Sequence, residues 1–133
     1  MKILILSFFL LSFSFLFSQG NLQFNAVKRF SNQSLPIAVG TWVSVGSITV
    51  PANKVWKIES SSLTFLTFNG AFMLAVDGQT IFTGLNSNAE YKMNILAPIW
   101  LPEGTYPVTV YQTGGIATMD KIKISAIEFN IIP

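Results

Sequence analysis

Carboxylates, serines and lysines are the side chains of this chain that could do acid–base or nucleophilic chemistry, since it has neither histidine nor cysteine. Without histidine the sequence lacks the commonest general base, every Ser-His-Asp arrangement and most zinc sites. Without cysteine it lacks disulfides, thiolate metal sites, cysteine nucleophiles and a bacterial lipid anchor. A Ser-Lys pair is the remaining route to nucleophilic catalysis, but the serines and threonines fall on the polar faces of the expected strands.

Six carboxylates are available for acid catalysis on sugars, which needs two of them about 5–10 Å apart with one at a raised pKa. Asp77 and Glu103 fit tight turns, while Glu59 and Glu128 fall on polar strand faces, where solvation explains a carboxylate. The sequence has no D-x-D-x-D-G segment and no glycine-rich nucleotide motif. A calcium site built from backbone carbonyls with Asp77 or Asp120 stays open as an alternative. We therefore predict a protein that is not an enzyme and has no cofactor and no metal centre.

Three aromatic residues, Trp42, Trp100 and Tyr111, are the candidate ligand-binding side chains. Alternation along the expected strands places them outward, Trp42 with Ser44 and Tyr111 with Thr109. An exposed ring stacks on the apolar face of a sugar, and it equally suits a protein interface. The competing interpretation is that Trp42 or Trp100 packs beneath a loop, or that a bulge reverses the alternation. The same alternation directs four other aromatic residues inward: Trp56, Phe72, Tyr91 and Tyr106.

The strands that must position these side chains begin after a segment of a different kind. Lys2 precedes the apolar run Ile3–Phe17, which is interrupted by serines and followed by Ser18, Gln19 and Gly20. This is the layout of a secretory signal peptide, and the run is too short for a membrane span, which needs about 20 apolar residues. We expect cleavage after Ser18, with Gly20 as the alternative. Residues 19–133 then form one secreted domain, extracellular or at the cell surface, with the periplasm as an alternative.

Period-two alternation broken by turn dipeptides runs through residues 19–133 and predicts about eight to ten short strands. Asn69-Gly70 and Asp77-Gly78 each predict a two-residue hairpin, because a type I′ turn needs positive φ at both central residues. Residues 84–89 are typical of a polar loop. The pattern predicts a single all-β domain, either a two-sheet antiparallel β-sandwich or a barrel.

Irregularities within the expected strands are also predicted. A change of parity at Gly46 indicates a β-bulge. Pro107 has no amide donor, so its strand is expected at a sheet edge or paired on one side at that point. Leu22, Phe24 and Ala26 are expected on one face of the first strand.

Two segments combine a tight turn with alternating apolar residues: Phe72–Ile81 reads FMLAVDGQTI and Leu101–Val110 reads LPEGTYPVTV. The first resembles the x-L-x-V-D-G-x-x-I hairpin of galactose-binding-like jelly rolls, and the second is similar to their L-P-x-G-x-Y/H-x-V-x-V segment. Ile124–Phe129 resembles their closing strand. The resemblance implies a jelly-roll β-sandwich in a family with many non-catalytic carbohydrate-binding modules. Trimeric jelly rolls of the tumour-necrosis-factor and complement type, and tail-fibre tips, carry the same turns and alternation.

Charge is scarce in this sequence. Charged residues make up 11% of the chain, against about 25% in typical domains, and the net charge of +2 argues against nucleic acid as a partner. A neutral all-β surface self-associates unless its edges are covered, and a secreted domain without disulfides is typical of bacteria. We predict a secreted bacterial binding or adhesion module whose partner is a glycan or a cell-surface protein. The alternative is a structural subunit of a homo-oligomer or surface assembly.

Overall fold

The computed structural model describes residues 21–65, 70–87, 90–95, 98–115 and 117–132, whose regular structure is β-strand. The predicted signal peptide of residues 1–18 lies outside the described residues. Within these ranges, no helix has the length and apolar character needed to cross a bilayer. The strands in chain order are β1 (Asn21–Ile37), β2 (Val43–Val50), β3 (Lys54–Phe65), β4 (Gly70–Val76), β5 (Gln79–Ser87), β6 (Glu90–Ile95), β7 (Ile99–Leu101), β8 (Gly104–Gln112) and β9 (Ala117–Ile132).

These strands form two antiparallel sheets that pack face to face as a sandwich. Sheet A has the order β1-β9-β3-β7, and sheet B has the order β2-β8-β4-β5-β6. The expected all-β sandwich is thereby confirmed, and the alternative of a closed barrel is not what the chain forms. Because the sheets face each other, the inner face of each sheet packs on the core. The outer faces of sheets A and B lie on opposite sides of the molecule.

The core lies between the sheets and consists of alternate residues of the facing strands. Phe72 is buried as the alternation predicted, and Trp56 and Tyr106 pack against the core while remaining partly exposed. The side chain of Tyr91 lies outside the described part of the chain. The largest apolar side chains fully enclosed between the sheets include Ile58, Leu63, Leu74, Phe82, Met119, Ile122 and Ile124.

Turn chemistry predicted one of the two hairpins correctly. Asp77 and Gly78 have φ of 51° and 74° and join the paired strands β4 and β5. The hairpin predicted at Asn69-Gly70 is wrong, because β3 belongs to sheet A and β4 to sheet B. Gly70 is the first residue of β4, and Asn69 itself lies outside the described residues. Residues 84–87 belong to β5 and pair with β6, so the polar loop predicted to begin at residue 84 is also wrong.

The bulge at Gly46 is confirmed, since the register between β2 and β8 shifts between Ser44 and Gly46, where φ is 136°. Pro107 lies in β8, which is inside sheet B rather than at its edge. The register between β8 and β4 nevertheless ends at Val108, so Pro107 has a strand partner on one side only, Ser47 of β2. Its carbonyl accepts a hydrogen bond of 2.9 Å from the Asp77 amide. The expectation that Pro107 is paired on one side is therefore correct, and the expectation that its strand lies at a sheet edge is wrong.

A further bulge in β1 has no signal in the sequence. The register with β9 shifts between Phe24 and Ala26, which leaves Asn25 as the extra residue. Phe24 pairs with Phe129 on the outer face of sheet A and is 61% exposed, whereas Ala26 pairs with the buried Glu128. The prediction that Phe24 and Ala26 share one face is wrong, because the bulge reverses the alternation between them.

Candidate functional site

Trp42 and Tyr111 lie together on the outer face of sheet B, and we call them the aromatic pair. Their ring centroids are 5.3 Å apart and the ring planes are inclined by 43°. Trp42 directly precedes β2 and is 48% exposed, while Tyr111 on β8 is half-buried. Both side chains lie on the outward face that the alternation assigned to them. Because the ring planes are inclined, the two rings do not form one flat surface.

The segment that carries Trp42 is tied to the end of β8. Gly40, with φ of 69°, donates its amide to the carbonyl of Gln112 at 2.9 Å. The buried side-chain amide of Gln112 donates to the Ile37 carbonyl at 3.1 Å and to the Gly115 carbonyl at 3.0 Å. The residue next to Tyr111 thus holds both the segment leading to Trp42 and the turn that follows β8.

A second set of hydrogen bonds fixes β4 beside Tyr111. The Thr113 amide donates to the Ala71 carbonyl at 2.9 Å, and the Ala71 amide donates to Thr113 Oγ1 at 3.0 Å. Met73 is the direct cross-strand neighbour of Tyr111. A site built on strands held in this way is pre-organised, so little order has to be imposed when a ligand binds.

Small uncharged side chains surround the aromatic pair on the outer face of sheet B. Ser44 pairs with Thr109 next to it, and Met73 pairs with Thr83. Among the described side chains of β2, β4, β5 and β8 on this face, none is charged. Hydroxyl groups both donate and accept hydrogen bonds, so this face offers apolar rings and neutral polar groups side by side.

Trp100 lies on the other side of the molecule. It is on the outer face of sheet A, opposite Lys57 on β3, and the Lys57 Nζ lies 5.8 Å from the centroid of its ring. Its ring centroid is 5.6 Å from that of Phe129. Trp100 is 48% exposed, like Trp42. The structure therefore brings together two of the three predicted site residues, and Trp100 does not join them.

Glu128 is the residue that sequence reasoning misplaced most clearly. It was expected on a solvated strand face, but it is only 2% exposed. The Trp56 indole donates to Glu128 Oε2 at 2.7 Å, Asn25 Nδ2 donates to Oε1 at 2.5 Å, and Lys28 Nζ lies 3.4 Å from Oε1. Its parity with the buried Ile124 and Ala126 on β9 was the signal that could have revealed the burial.

The surroundings of Glu128 favour its ionised form. Burial raises the pKa of this carboxyl, but hydrogen bonds from Trp56 and Asn25 and the charge of Lys28 together hold the pKa below its ordinary value of 4.5. A general acid in glycoside hydrolysis needs a raised pKa. Among the described residues, no second carboxylate bonds to Glu128. The arrangement is that of a structural charge cluster.

The described residues contain no group of three or more histidine, cysteine, aspartate or glutamate side chains placed to hold a metal ion. Asp77 and Asp120, the two residues considered for calcium, lie apart. Asp77 forms the turn between β4 and β5, and Asp120 accepts a hydrogen bond of 3.3 Å from Thr64.

No protein-family model, curated protein or solved structure matches this chain. The resemblance of Phe72–Ile81 and Leu101–Val110 to galactose-binding-like jelly rolls thus has no family match beside it. At the level of architecture, the structure agrees with that resemblance in its two antiparallel sheets packed as a sandwich.

Proposed function

We propose that this chain is a secreted, non-catalytic binding module that holds a neutral glycan on the outer face of sheet B. The observation that carries the proposal is the aromatic pair, open to solvent beside the uncharged side chains described on β2, β4, β5 and β8, several of which carry hydroxyl groups. The C–H-rich face of a sugar ring stacks on Trp42, and its hydroxyls exchange hydrogen bonds with neighbours such as Thr109 and Ser44.

We further propose that the sandwich is a jelly roll. Its support is the strand order, β1-β9-β3-β7 in one sheet and β2-β8-β4-β5 in the other, with β6 added at the edge. Strands from the two ends of the chain lie side by side in each sheet, and β1 and β2, β3 and β4, and β7 and β8 fall in opposite sheets. This chain path matches the wrapping of two Greek keys in a jelly roll.

Secretion is part of the proposal, and residues 1–18 support it through the cationic start, apolar run and small residues at the end. Mass spectrometry of the protein released by its native host is expected to find an N-terminus at Gln19. A chain that retains Met1 in the cell would contradict secretion and leave the glycan site to be judged separately.

The glycan site is tested by titrating neutral oligosaccharides from an array screen into the purified protein and following tryptophan fluorescence and heat. Trp42→Ala and Tyr111→Ala are each expected to weaken binding by about tenfold, because each removes one stacking surface. Trp100→Ala is the matched control, since it removes an equally exposed tryptophan from the opposite side of the sandwich.

Equal losses in the Trp42→Ala and Trp100→Ala proteins would contradict the assignment, as would an array without any hit. Circular dichroism and thermal unfolding of each variant show whether the sheets remain intact. Binding that survives in both aromatic-pair variants would place the ligand elsewhere and overturn the proposal.

A second candidate function, a structural subunit, is favoured by a separate observation on sheet A. One half of its outer face, which we call the apolar half, carries apolar side chains from β1, β9, β3 and β7, with Lys57 on β3 among them. Contiguous apolar patches of this kind mark association surfaces. The exposed members are Leu22, Phe24, Val27, Trp100 and Ile131, and the half-buried members are Val55, Ile127 and Phe129.

The occupant we assign to the apolar half is a second copy of this chain. Lys57, which lies on this face, is already paired with Glu59 at 2.6 Å, so two copies of the surface can meet without an unpaired charge on either side. Light scattering is expected to show an oligomer that Phe24→Asp dissociates, whereas Leu85→Asp, on the other sheet, leaves it intact. A wild-type monomer at all concentrations would contradict this candidate.

A further inference from the structure

A groove on the outer face of sheet A carries an unusual excess of positive charge. It has a volume of about 430 Å³ and runs between the edge strand β1 and its neighbour β9. We call it the basic groove, and its polar lining consists of Arg29, Ser31, Gln33, Lys121, Lys123 and Ser125. The volume is within the range of small-molecule sites, and the lining contains three cations and no carboxylate.

The register of the two strands explains why these side chains share one face. Arg29 pairs with Ser125, Ser31 with Lys123, and Gln33 with Lys121. Directly opposed residues of an antiparallel pair point to the same side of the sheet, and alternate residues of one strand do so as well. Three successive cross-strand pairs therefore each contribute one cation and one neutral hydrogen-bonding group to the groove.

The partners of the other cations make this cluster distinct. Lys28 is paired with Glu128, Lys57 with Glu59, and Lys54 donates a hydrogen bond to Asn130. Arg29, Lys121 and Lys123, by contrast, form no ion pair with another described residue. Three cations that form no ion pair with another described residue thus lie together in one groove, where their mutual repulsion favours the binding of a counter-charge.

The acid next to the groove does not neutralise it. Asp120 is exposed and accepts a hydrogen bond from Thr64 at 3.3 Å, and it is not part of the lining. Ser60, Ser62 and Thr64 on β3 continue the cross-strand rows beyond Ser125, Lys123 and Lys121. A ligand in the groove therefore meets cations flanked on the β3 side by hydroxyl groups.

We propose that the basic groove binds the carboxylate or sulfate groups of an acidic polysaccharide. The cations hold the anionic groups through charge-assisted hydrogen bonds, and the rows of serine and threonine suit the sugar hydroxyls between them. The groove shape favours a single chain over a flat membrane surface. The net charge of the whole sequence is close to zero and does not reveal this site, because the carboxylates that balance its cations lie outside the lining of the groove.

The proposal is tested by calorimetric titration of the purified protein with polygalacturonate, dextran sulfate and neutral dextran. We expect one or both acidic polymers to bind, with affinity that falls as salt is added, and neutral dextran not to bind in the groove. Polygalacturonate alone binding identifies a carboxylate site, and dextran sulfate alone binding identifies a sulfate site. Either result supports the proposal.

Matched charge removals give the specificity control. Lys121→Gln/Lys123→Gln is expected to weaken acidic-polymer binding by about tenfold or more, as the loss of charge-assisted hydrogen bonds predicts. Lys54→Gln/Lys57→Gln lowers the net charge equally and is expected to change binding by less than about threefold. Equal losses in the two double variants would overturn the groove in favour of diffuse attraction, and the thermal unfolding of both identifies any that fail to fold.

Two more outcomes would overturn the proposal. One is binding to vesicles of phosphatidylglycerol and phosphatidylcholine without binding to either acidic polymer, which would assign the groove to a membrane surface. The other is full retention of acidic-polymer binding in the Lys121→Gln/Lys123→Gln protein. The groove does not depend on the aromatic pair, so Trp42→Ala is expected to leave acidic-polymer binding unchanged and each site can fail without the other.

Discussion

The indole Nε1 of Trp56 donates a hydrogen bond of 2.7 Å to Oε2 of Glu128, a residue 72 positions later in the chain. The two residues are direct neighbours on β3 and β9. On the other side of β9, the β1 bulge turns Asn25 toward the same carboxylate. Side chains from β1, β9 and β3 therefore meet at one buried charge. Their hydrogen bonds connect the edge strand β1 to the two strands inside the sheet.

Glu128→Gln is expected to destabilise the protein by about 1–3 kcal/mol. The substitution removes the acceptor charge from several charge-assisted hydrogen bonds and places an amide donor against the donors of Trp56 and Asn25. Urea unfolding followed by circular dichroism measures the change. Glu59→Gln is the matched control, because its ion pair with Lys57 is partly exposed and is expected to contribute within about 1 kcal/mol. Equal costs for both substitutions would contradict the role assigned to Glu128.

The stability of the fold is expected to decline in acid because of the same residue. The pKa of Glu128 is lower in the folded chain than its ordinary value of 4.5, so the unfolded state binds the proton more readily. The contribution of the ionised Glu128 carboxylate to the free energy of unfolding is therefore fully present above the pKa of the unfolded chain. It is lost as the pH falls through the lower pKa of the folded chain. Urea unfolding between pH 7 and pH 2 measures this dependence. The Glu128→Gln protein is expected to lose the part of the slope that lies below pH 4.5, and an unchanged slope would refute the linkage.

Trp56→Phe tests whether the indole hydrogen bond matters apart from ring packing. The phenyl ring retains most of the contact with the core but has no donor, so we expect a cost of about 1–3 kcal/mol and a higher pKa for Glu128. In a double-mutant cycle with Glu128→Gln, the two costs should combine to less than their sum, because both remove one shared interaction. Strict additivity of the two free energies would show that the residues act independently.

Local chemistry in the sequence predicted the features that depend on neighbouring residues. Asp77-Gly78 adopts positive φ at both positions, and Gly46 forms a bulge, because each conformation is set by the residues of one short segment. Asn69-Gly70 has the residue types of a hairpin turn, but it lies between strands that belong to different sheets. A turn dipeptide specifies a change of direction, and the pairing partners of the flanking strands are decided by the whole core.

The features that the sequence did not reveal all require long-range pairing. Asn25 donates a hydrogen bond to the carboxylate of Glu128, 103 positions away. The bulge that orients Asn25 contains no glycine, so the sequence does not indicate it. The basic groove exists because β1 lies against β9, so that Arg29 comes beside Lys123. The separation of Trp100 from Trp42 likewise follows from which sheet each strand joins. Alternation predicted the outward direction of these side chains but contains no information on which sheet they occupy.

Gly84→Ala is expected to destabilise the core by about 1–3 kcal/mol or more. Gly84 on β5 pairs directly with Phe72 on β4, and a Cβ at this position would lie 2.2 Å from Cζ of the Phe72 ring. Phe72 is buried, and its ring centroid lies 5.3 Å from that of Phe65 and 5.8 Å from that of Phe82. The Phe72 ring therefore has little room to move aside. Thermal unfolding is expected to show a clear fall in Tm.

The matched control for this substitution is Gly115→Ala. Apart from the chain neighbours of Gly115, no atom of the described residues lies within 4 Å of a Cβ built at this position, and its φ is outside the left-handed range. The added methyl group should therefore leave stability unchanged or raise it slightly, since alanine restricts the unfolded chain. A Gly84→Ala protein as stable as the Gly115→Ala protein would mean that the Phe72 ring is free to shift, and that contact between β4 and β5 does not limit the packing of this core.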